Sequence, residues 1–349
     1  MVEIAAVDLF CGAGGLTHGL EQEGINVVAG YDIDPECEYA YDTNNGSNFH
    51  EIDVAELSAG DIEKHLRTAD LSLLAGCAPC QAFSRINQNS KSKFKPHKWS
   101  LVDKFVDLVV DTQPDFITME NVPSLLNQRR FESAVQKLID NEYQVCVQIV
   151  DCSDYGAPQK RKRLVLLGSR RGPIEIISTD EFGEKPQTVE DAIGHLPPLA
   201  AGEQSRIDPL HRASGLAEIN LRRIRHSKPG GSWKDWPDAL QLKCHTQQSG
   251  STYVSVYGRM DWAKASPTIT TFAYNYGSGR FGHPKQDRAL SLREAALLQT
   301  FPPSYQFFDS GKPYSIRKVA KLIGNAVPVI LGRVVARSIQ KAAARLDVE

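Results

Sequence analysis

Between residues 4 and 170, short apolar runs alternate with helix-patterned segments, and this alternation constrains the fold more than any other feature of the chain. The apolar runs fall at residues 4–9, 25–31, 71–76, 115–119, 143–150 and 163–167, and helical spacing fills 14–23, 35–42, 101–111 and 124–140. Strands alternating with helices in this way predict a doubly wound, mostly parallel α/β sheet of Rossmann-like type. From about 177 to 285 the texture changes to Pro, Gly, Ser and scattered aromatics, as in Pro197-Pro198 and Tyr276-Gly277-Ser278-Gly279. That stretch reads as a small inserted domain, irregular or β-rich. Helical patterning returns at 292–299 and again from 316, where Pro328 fits the first turn of a helix running to about 345. The expected division is therefore 1–176, 177–285 and 286–349, with the first and last parts forming one domain.

Of the 349 residues, 41% are hydrophobic and 23% charged, the balance of an ordinary soluble protein. The chain starts almost directly in a strand, with no basic segment followed by a long apolar one, so no secretory signal or membrane anchor is expected. Seven scattered cysteines point to reduced thiols in a cytoplasm and not to a disulfide framework. The net charge of -2 conceals two basic stretches that contain no acid. One carries Arg85, Lys91, Lys93, Lys95 and Lys98; the other carries Arg222, Arg223, Arg225, Lys228 and Lys234. Each is a candidate phosphate-contacting surface or a solvated face.

Open α/β sheets bind ligands beyond the carboxyl ends of their strands, and the residues with chemistry fall there. The first strand runs into Phe10-Cys11-Gly12-Ala13-Gly14-Gly15-Leu16, a glycine-rich turn entering a helix. The second ends at Asp32, placed to accept hydrogen bonds from a ribose. Together they indicate an adenosine-bearing cofactor, but the third glycine of a dinucleotide loop is replaced by Thr17, which weakens a pyrophosphate reading. The strand at 71–76 leads into Cys77-Ala78-Pro79-Cys80, and a thiol there, followed by a basic loop, is a candidate nucleophile. Cys77 and Cys80 also form a C-x-x-C pair, a weak signal for zinc or redox chemistry. The strand at 115–119 delivers Glu120 to the same edge, where a partly buried carboxyl suits proton donation. Further on, Gln159-Lys160-Arg161-Lys162-Arg163 precedes an apolar strand, and alternation would send Arg161 and Arg163 to one face.

In this order the segments resemble the cytosine-C5 DNA methyltransferase family, prokaryotic type. The glycine loop is similar to its first motif, Pro79-Cys80-Gln81 to its catalytic motif, Glu120-Asn121-Val122 to its E-N-V, and Gln159, Arg161 and Arg163 to its Q-x-R-x-R. Residues 288–302 resemble the helix after the target-recognition domain, and Gly324-Asn325-Ala326-Val327-Pro328 the last motif. The sequence departs from the usual pattern at Ala78 and Ala296.

The resemblance implies S-adenosyl-L-methionine as methyl donor, S-adenosyl-L-homocysteine as product, and no metal. Cys80 would add to C6 of a cytosine flipped out of duplex DNA, Glu120 would hold N3, Arg163 would contact O2, and Arg161 would brace the active-site loop. Phe10, Gly12, Ala13, Gly14, Gly15, Leu16, Asp32, Ile33, Asp53, Val54, Pro79, Asn325, Ala326 and Val327 would line the cofactor site. Ser84, Arg85, Lys91, Arg222, Arg223 and Arg225 would meet DNA. His211, Trp233 and Tyr274 are further candidates for reading bases. The implied enzyme is a monomer in a bacterial or phage-infected cytoplasm, associated with the nucleoid, with a separate cognate restriction endonuclease as a possible partner. Alternative readings are an RNA cytosine-C5 methyltransferase, disfavoured by the lack of Cys-Phe-Thr, and an inactive DNA-binding homologue, disfavoured by intact Cys80, Glu120 and Arg163.

Overall fold

The computed structural model describes residues 2–67, 69–79, 99–247, 250 and 252–346. Cys80, Ser84, Arg85 and Lys91 lie outside the described residues. By contacts the chain divides into two compact units, one of Met1–Tyr155, Lys162–Glu184 and Val327–Glu349, the other of Gly156–Arg161 and Lys185–Ala326.

The first unit is built on one sheet of β1 (Ile4–Leu9), β2 (Asn26–Asp32), β3 (Asn48–Glu51), β4 (Leu71–Gly76), β5 (Phe116–Asn121), β6 (Gln144–Asp151) and β7 (Lys162–Ser169). Their order is β3-β2-β1-β4-β5-β7-β6. The first five are parallel, whereas β7 runs antiparallel to both β5 and β6. Strand order reverses between β1 and β4, so the carboxyl ends of β1, β2, β4 and β5 share one edge around a topological switch point. β1 is buried at every position, as a strand covered on both faces must be.

Helices α1 (Gly15–Gln22), α2 (Glu38–Asn44), α3 (Ala59–Leu66), α4 (Trp99–Thr112) and α5 (Arg129–Asp140) connect the strands. From α3, α4 and α5, Ile62, Leu66, Val102, Phe105, Phe131 and Leu138 pack into one core with Val7, Leu9, Leu74, Ile117 and Met119 of the sheet. The C-terminal helix Val329–Ala343 lies against α1 so closely that a Cβ on Gly19 would come within 2.3 Å of the Val329 carbonyl oxygen. Glycine is therefore required there, and Glu23, ion-paired to Arg333 at 2.6 Å and Arg337 at 2.8 Å, pins the same contact. This is how the chain's end steadies the helix that carries the glycine loop.

The second unit has a core of Ile224, Trp233, Trp236, Leu240, Tyr276 and Ala289. Of the two textures expected for the insertion, the irregular one is present: among its described residues there are short helices, turns and isolated bridges, and no strand of the main sheet except by connection. Its many prolines remove backbone donors that a ladder needs, and its glycines weaken a strand interior. The unit extends past residue 285 because the helix Leu292–Leu298 packs on Val189–Ile193, so its edges differ from those the texture change indicates. One stretch, Ile316–Ala343, is long and apolar enough to cross a membrane, yet 83% of its apolar window is buried, which is the behaviour of core helices.

Candidate active site

Register places the catalytic candidates of the first unit. β4 and β5 pair Gly76 with Met119, so the residues that follow, Cys77 and Glu120, emerge side by side. β7 enters the sheet beside the exit of β5, with Leu164 opposite Asn121, and this brings Arg163 to the same edge. Glu120 is buried, and its Oε1 lies 2.6 Å from Arg163 Nε. That contact is an ion pair and not an aligned hydrogen bond, since Oε1 has no partner of hydrogen-bond geometry among the described residues. Its Oε2 accepts from the Cys77 thiol at 2.8 Å. Asn121 Nδ2 donates to the Ala78 carbonyl at 3.0 Å, tying the loop that leads to Cys80 onto β5. Pro79 is exposed.

Arg161 does not share the direction of Arg163. β7 starts at Lys162, so strand alternation does not reach Arg161, and its buried guanidinium donates to the carbonyls of Ile269 and Ala326 at 2.9 and 3.1 Å. Gln159 behaves alike: its Nε2 donates to the Leu298 carbonyl, and its Oε1 accepts from the Ile269 amide. Both side chains bind the second unit's own backbone, so the first two members of the Q-x-R-x-R motif are internal clamps there.

The glycine loop turns through left-handed backbone at Phe10 (φ 59), Gly12 (φ 53) and Gly14 (φ 84). At Gly12 a Cβ would meet nothing within 4 Å among the described residues, which leaves room there for a ligand's approach. Asp32 holds the loop, its two oxygens accepting from the amides of Gly12 and Asp34, each at 2.9 Å. Burial pushes the Asp32 carboxyl above its ordinary range. Ile33 beside it is 62% exposed, a large apolar side chain facing outward from a ligand-binding edge. Asp53 accepts from the Ala55 amide at 2.9 Å, while Ala13, Leu16 and Val54 are buried, so their side chains serve packing. In the second unit Asn325 is exposed and Ala326 buried; Val327 is buried in the first.

Thr17 now has a physical reason. Its hydroxyl donates to Asp8 Oδ2 at 2.7 Å in the fully buried floor of the loop, while Asp8 Oδ1 has no hydrogen-bond partner among the described residues. Burial, with repulsion from Asp32, pushes the Asp8 carboxyl up to about 7, against the lowering effect of Thr17. The native state therefore binds this proton more tightly than the unfolded chain, so stability falls as pH rises from about 4 to 7 and the loss is complete above 7. Asp8→Asn is expected to flatten that part of the stability profile, removing up to about 1.4 kcal/mol per pH unit of slope, measured by urea denaturation at several pH values.

Of the DNA-facing candidates in the second unit, Arg222 and Arg225 are exposed. Arg223 is not: it is buried, donates to the Leu240 carbonyl at 3.0 Å, and lies over the rings of Trp236 and Tyr257. The expectation of a phosphate contact fails for Arg223 because the helix Glu218–His226 turns it, with Ile224, into the core. His211 and Trp233 are core residues as well, His211 bonded to Ser291 and Trp233 stacked on His245. Tyr274 is half-buried and stacked on Phe272, which is 48% exposed. Sequence reasoning missed Cys77 and Asn121 as parts of the site. The signal was available in the C-x-x-C pair and the E-N-V triplet, but it needs the β4–β5 register to be read.

A parallel α/β sheet with an antiparallel β7, and a glycine loop, the strand end leading to Pro79 and a glutamate at one edge, define the class as an α/β methyltransferase fold. The model of the C-5 cytosine-specific DNA methylases matches residues 4–341, and the chain belongs to that family. It is thus a DNA (cytosine-5-)-methyltransferase. It is 49% identical over 340 residues to the type II methylase M.HgiDII of Herpetosiphon aurantiacus, covering 97% of this chain and 95% of that protein. It is 30% identical to the type II methyltransferase M1.HphI of Haemophilus parahaemolyticus, with 97% and 87% covered. Among solved structures, a prophage-encoded DNA modification methyltransferase of E. coli aligns over 98% of this chain and 100% of its own, at TM-score 0.74 and 22% identity. At that identity the likeness speaks for the fold.

Proposed function

We propose that this enzyme methylates C5 of cytosine in a specific duplex DNA sequence, with S-adenosyl-L-methionine as methyl donor and S-adenosyl-L-homocysteine as product. The observation that carries the reading is the Glu120–Arg163 pair at the end of β5, beside the loop that leads to Cys80. Cytosine C5 is a poor nucleophile. Attack of the Cys80 thiolate on C6 makes C5 enamine-like; after methylation, loss of the C5 proton expels the thiolate. Glu120 holds N3 and offsets the charge that develops in the ring, and Arg163 holds Glu120 in place and meets O2. The base must leave the stack for this chemistry.

The glycine loop fits the methyl donor. The open surface at Gly12, the exposed Ile33 and the pinned Asp32 offer backbone approach, an apolar face and a ribose acceptor in one place. The donor supplies an electrophilic methyl on a sulfonium, which carries no phosphate, and Thr17 is then free to serve Asp8. Arg222 and Arg225, with Arg85, Lys91 and Ser84 of the Pro-Cys loop, are assigned to the DNA backbone. The second unit is read as the target-recognition part. We further place the enzyme in a bacterial or phage-infected cytoplasm, as a monomer acting separately from a cognate restriction endonuclease.

Transfer of labelled methyl to duplex DNA tests the proposal. Cys80→Ala is expected to abolish transfer, and 5-fluorocytosine at the target is expected to trap the wild-type protein covalently, because fluorine cannot leave as a proton does. Retained transfer in Cys80→Ala would sink the assignment.

A further inference from the structure

Both carboxylate oxygens of Glu120 are engaged, and their partners are very different donors. Arg163 at Oε1 is permanently charged and holds a carboxylate by charge, whereas the Cys77 thiol at Oε2 is a weak, neutral donor. A base nitrogen that is to meet Glu120 has to take an oxygen from one of them. The thiol gives way at lower cost.

We propose that Cys77 is a positioning residue for Glu120: its thiol holds Oε2 at the place the base nitrogen takes, and yields that oxygen when the base enters. This rests on the reading of Glu120 as the N3 partner. The loop carrying Cys77 is tied to β5 a second time, through Asn121 and the Ala78 carbonyl, so thiol and carboxylate keep a fixed relation. Without the thiol, Oε2 loses the donor that sets its direction, and Arg163 at Oε1 is the partner that remains among the described residues. A hydroxyl at the same place keeps a donor for Oε2.

The experiment is single-turnover methyl transfer to duplex DNA, with DNA affinity measured beside it, by the wild type, Cys77→Ala, Cys77→Val and Cys77→Ser. Cys77→Ala and Cys77→Val are expected to lower the rate at saturating DNA by about 3–10-fold with DNA affinity unchanged, and Cys77→Ser, which keeps a donor, to stay within about twofold of the wild type. Loss without the donor and rescue by the hydroxyl support the inference. Unchanged rates in Cys77→Ala and Cys77→Val, or an equal loss in Cys77→Ser, overturn it. If Cys77→Ala fails to fold by circular dichroism, Cys77→Val, which keeps the volume, takes its place and the same outcomes decide. Absence of methyl transfer by the wild type would instead overturn the functional reading, and so the two failures are distinguishable.

Discussion

Glu120→Gln is expected to leave the fold intact and to lower the rate of methyl transfer by about 10²–10³-fold, with little change in DNA affinity. The substitution keeps the side chain's shape but removes the charge that Arg163 faces at 2.6 Å. Arg163→Met acts differently. It leaves a carboxylate that is 8% exposed without its cation, and breaking such a pair typically costs about 3–5 kcal/mol unless the acid neutralises itself by taking up a proton. Arg163→Met should therefore lower both stability and rate, whereas Glu120→Gln lowers chiefly the rate. Because the two side chains act as a unit, Glu120→Gln/Arg163→Met should be far less impaired than the product of the singles, by more than about 1 kcal/mol of coupling. Single-turnover kinetics and urea denaturation on the four proteins check this. Additive losses would mean that Arg163 reaches the base without acting through Glu120.

The sheet was legible where burial leaves a strong pattern. β1 and β4 are mostly apolar runs, interrupted by Asp8 and by the half-buried Ser72, and their boundaries agree with those read from the chain. β3 escaped notice because Asn48-Phe49-His50-Glu51 is a short strand with one apolar residue, recognisable only by its pairing with β2. α3 escaped for a related reason: its apolar face is little more than Ile62 and Leu66, although the Ser58–Asp61 capping box marks its start. At the site, Cys77 and Glu120 are 43 residues apart and are joined only by strand register, which pattern does not specify. Charge misled in two places. Arg223 lies in a run of basic residues but is buried under aromatic rings, and Arg161 stands one residue before the strand whose alternation was to orient it. At Arg223 a guanidinium bonded to the Leu240 carbonyl stands where a DNA contact was expected, and at Arg161 the described bonds go to the carbonyls of Ile269 and Ala326.

Glu294→Gln or Arg288→Met is expected to destabilise the second unit by about 3–5 kcal/mol. Both side chains are fully buried, and the guanidinium grips the carboxylate with two bonds of 2.7 and 2.6 Å. Burial alone would raise the Glu294 carboxyl; the hydrogen bonds and charge of Arg288 overcome it and hold it below the usual range. Glu294 also completes the capping box that starts the helix Leu292–Leu298, accepting from the Ser291 amide at 2.7 Å, so its loss frays that helix as well. His283 Nε2 is 3.6 Å from the same carboxylate but is not a substitute cation. Its Nδ1 accepts from the amides of Lys285 and Gln286, which puts the ring proton on Nε2, and burial lowers the imidazole to about 4. Neutral at pH 7, His283 leaves Arg288 as the charge that balances Glu294. Removing either partner strands the other in the core, whereas replacing both by apolar residues of similar size removes the unpaired charge. Arg288→Met/Glu294→Leu should accordingly be more stable than the less stable single variant, with the lost capping box as its residual cost. Denaturation of the three variants decides it, and additive losses would show that the pair contributes through packing and not through charge.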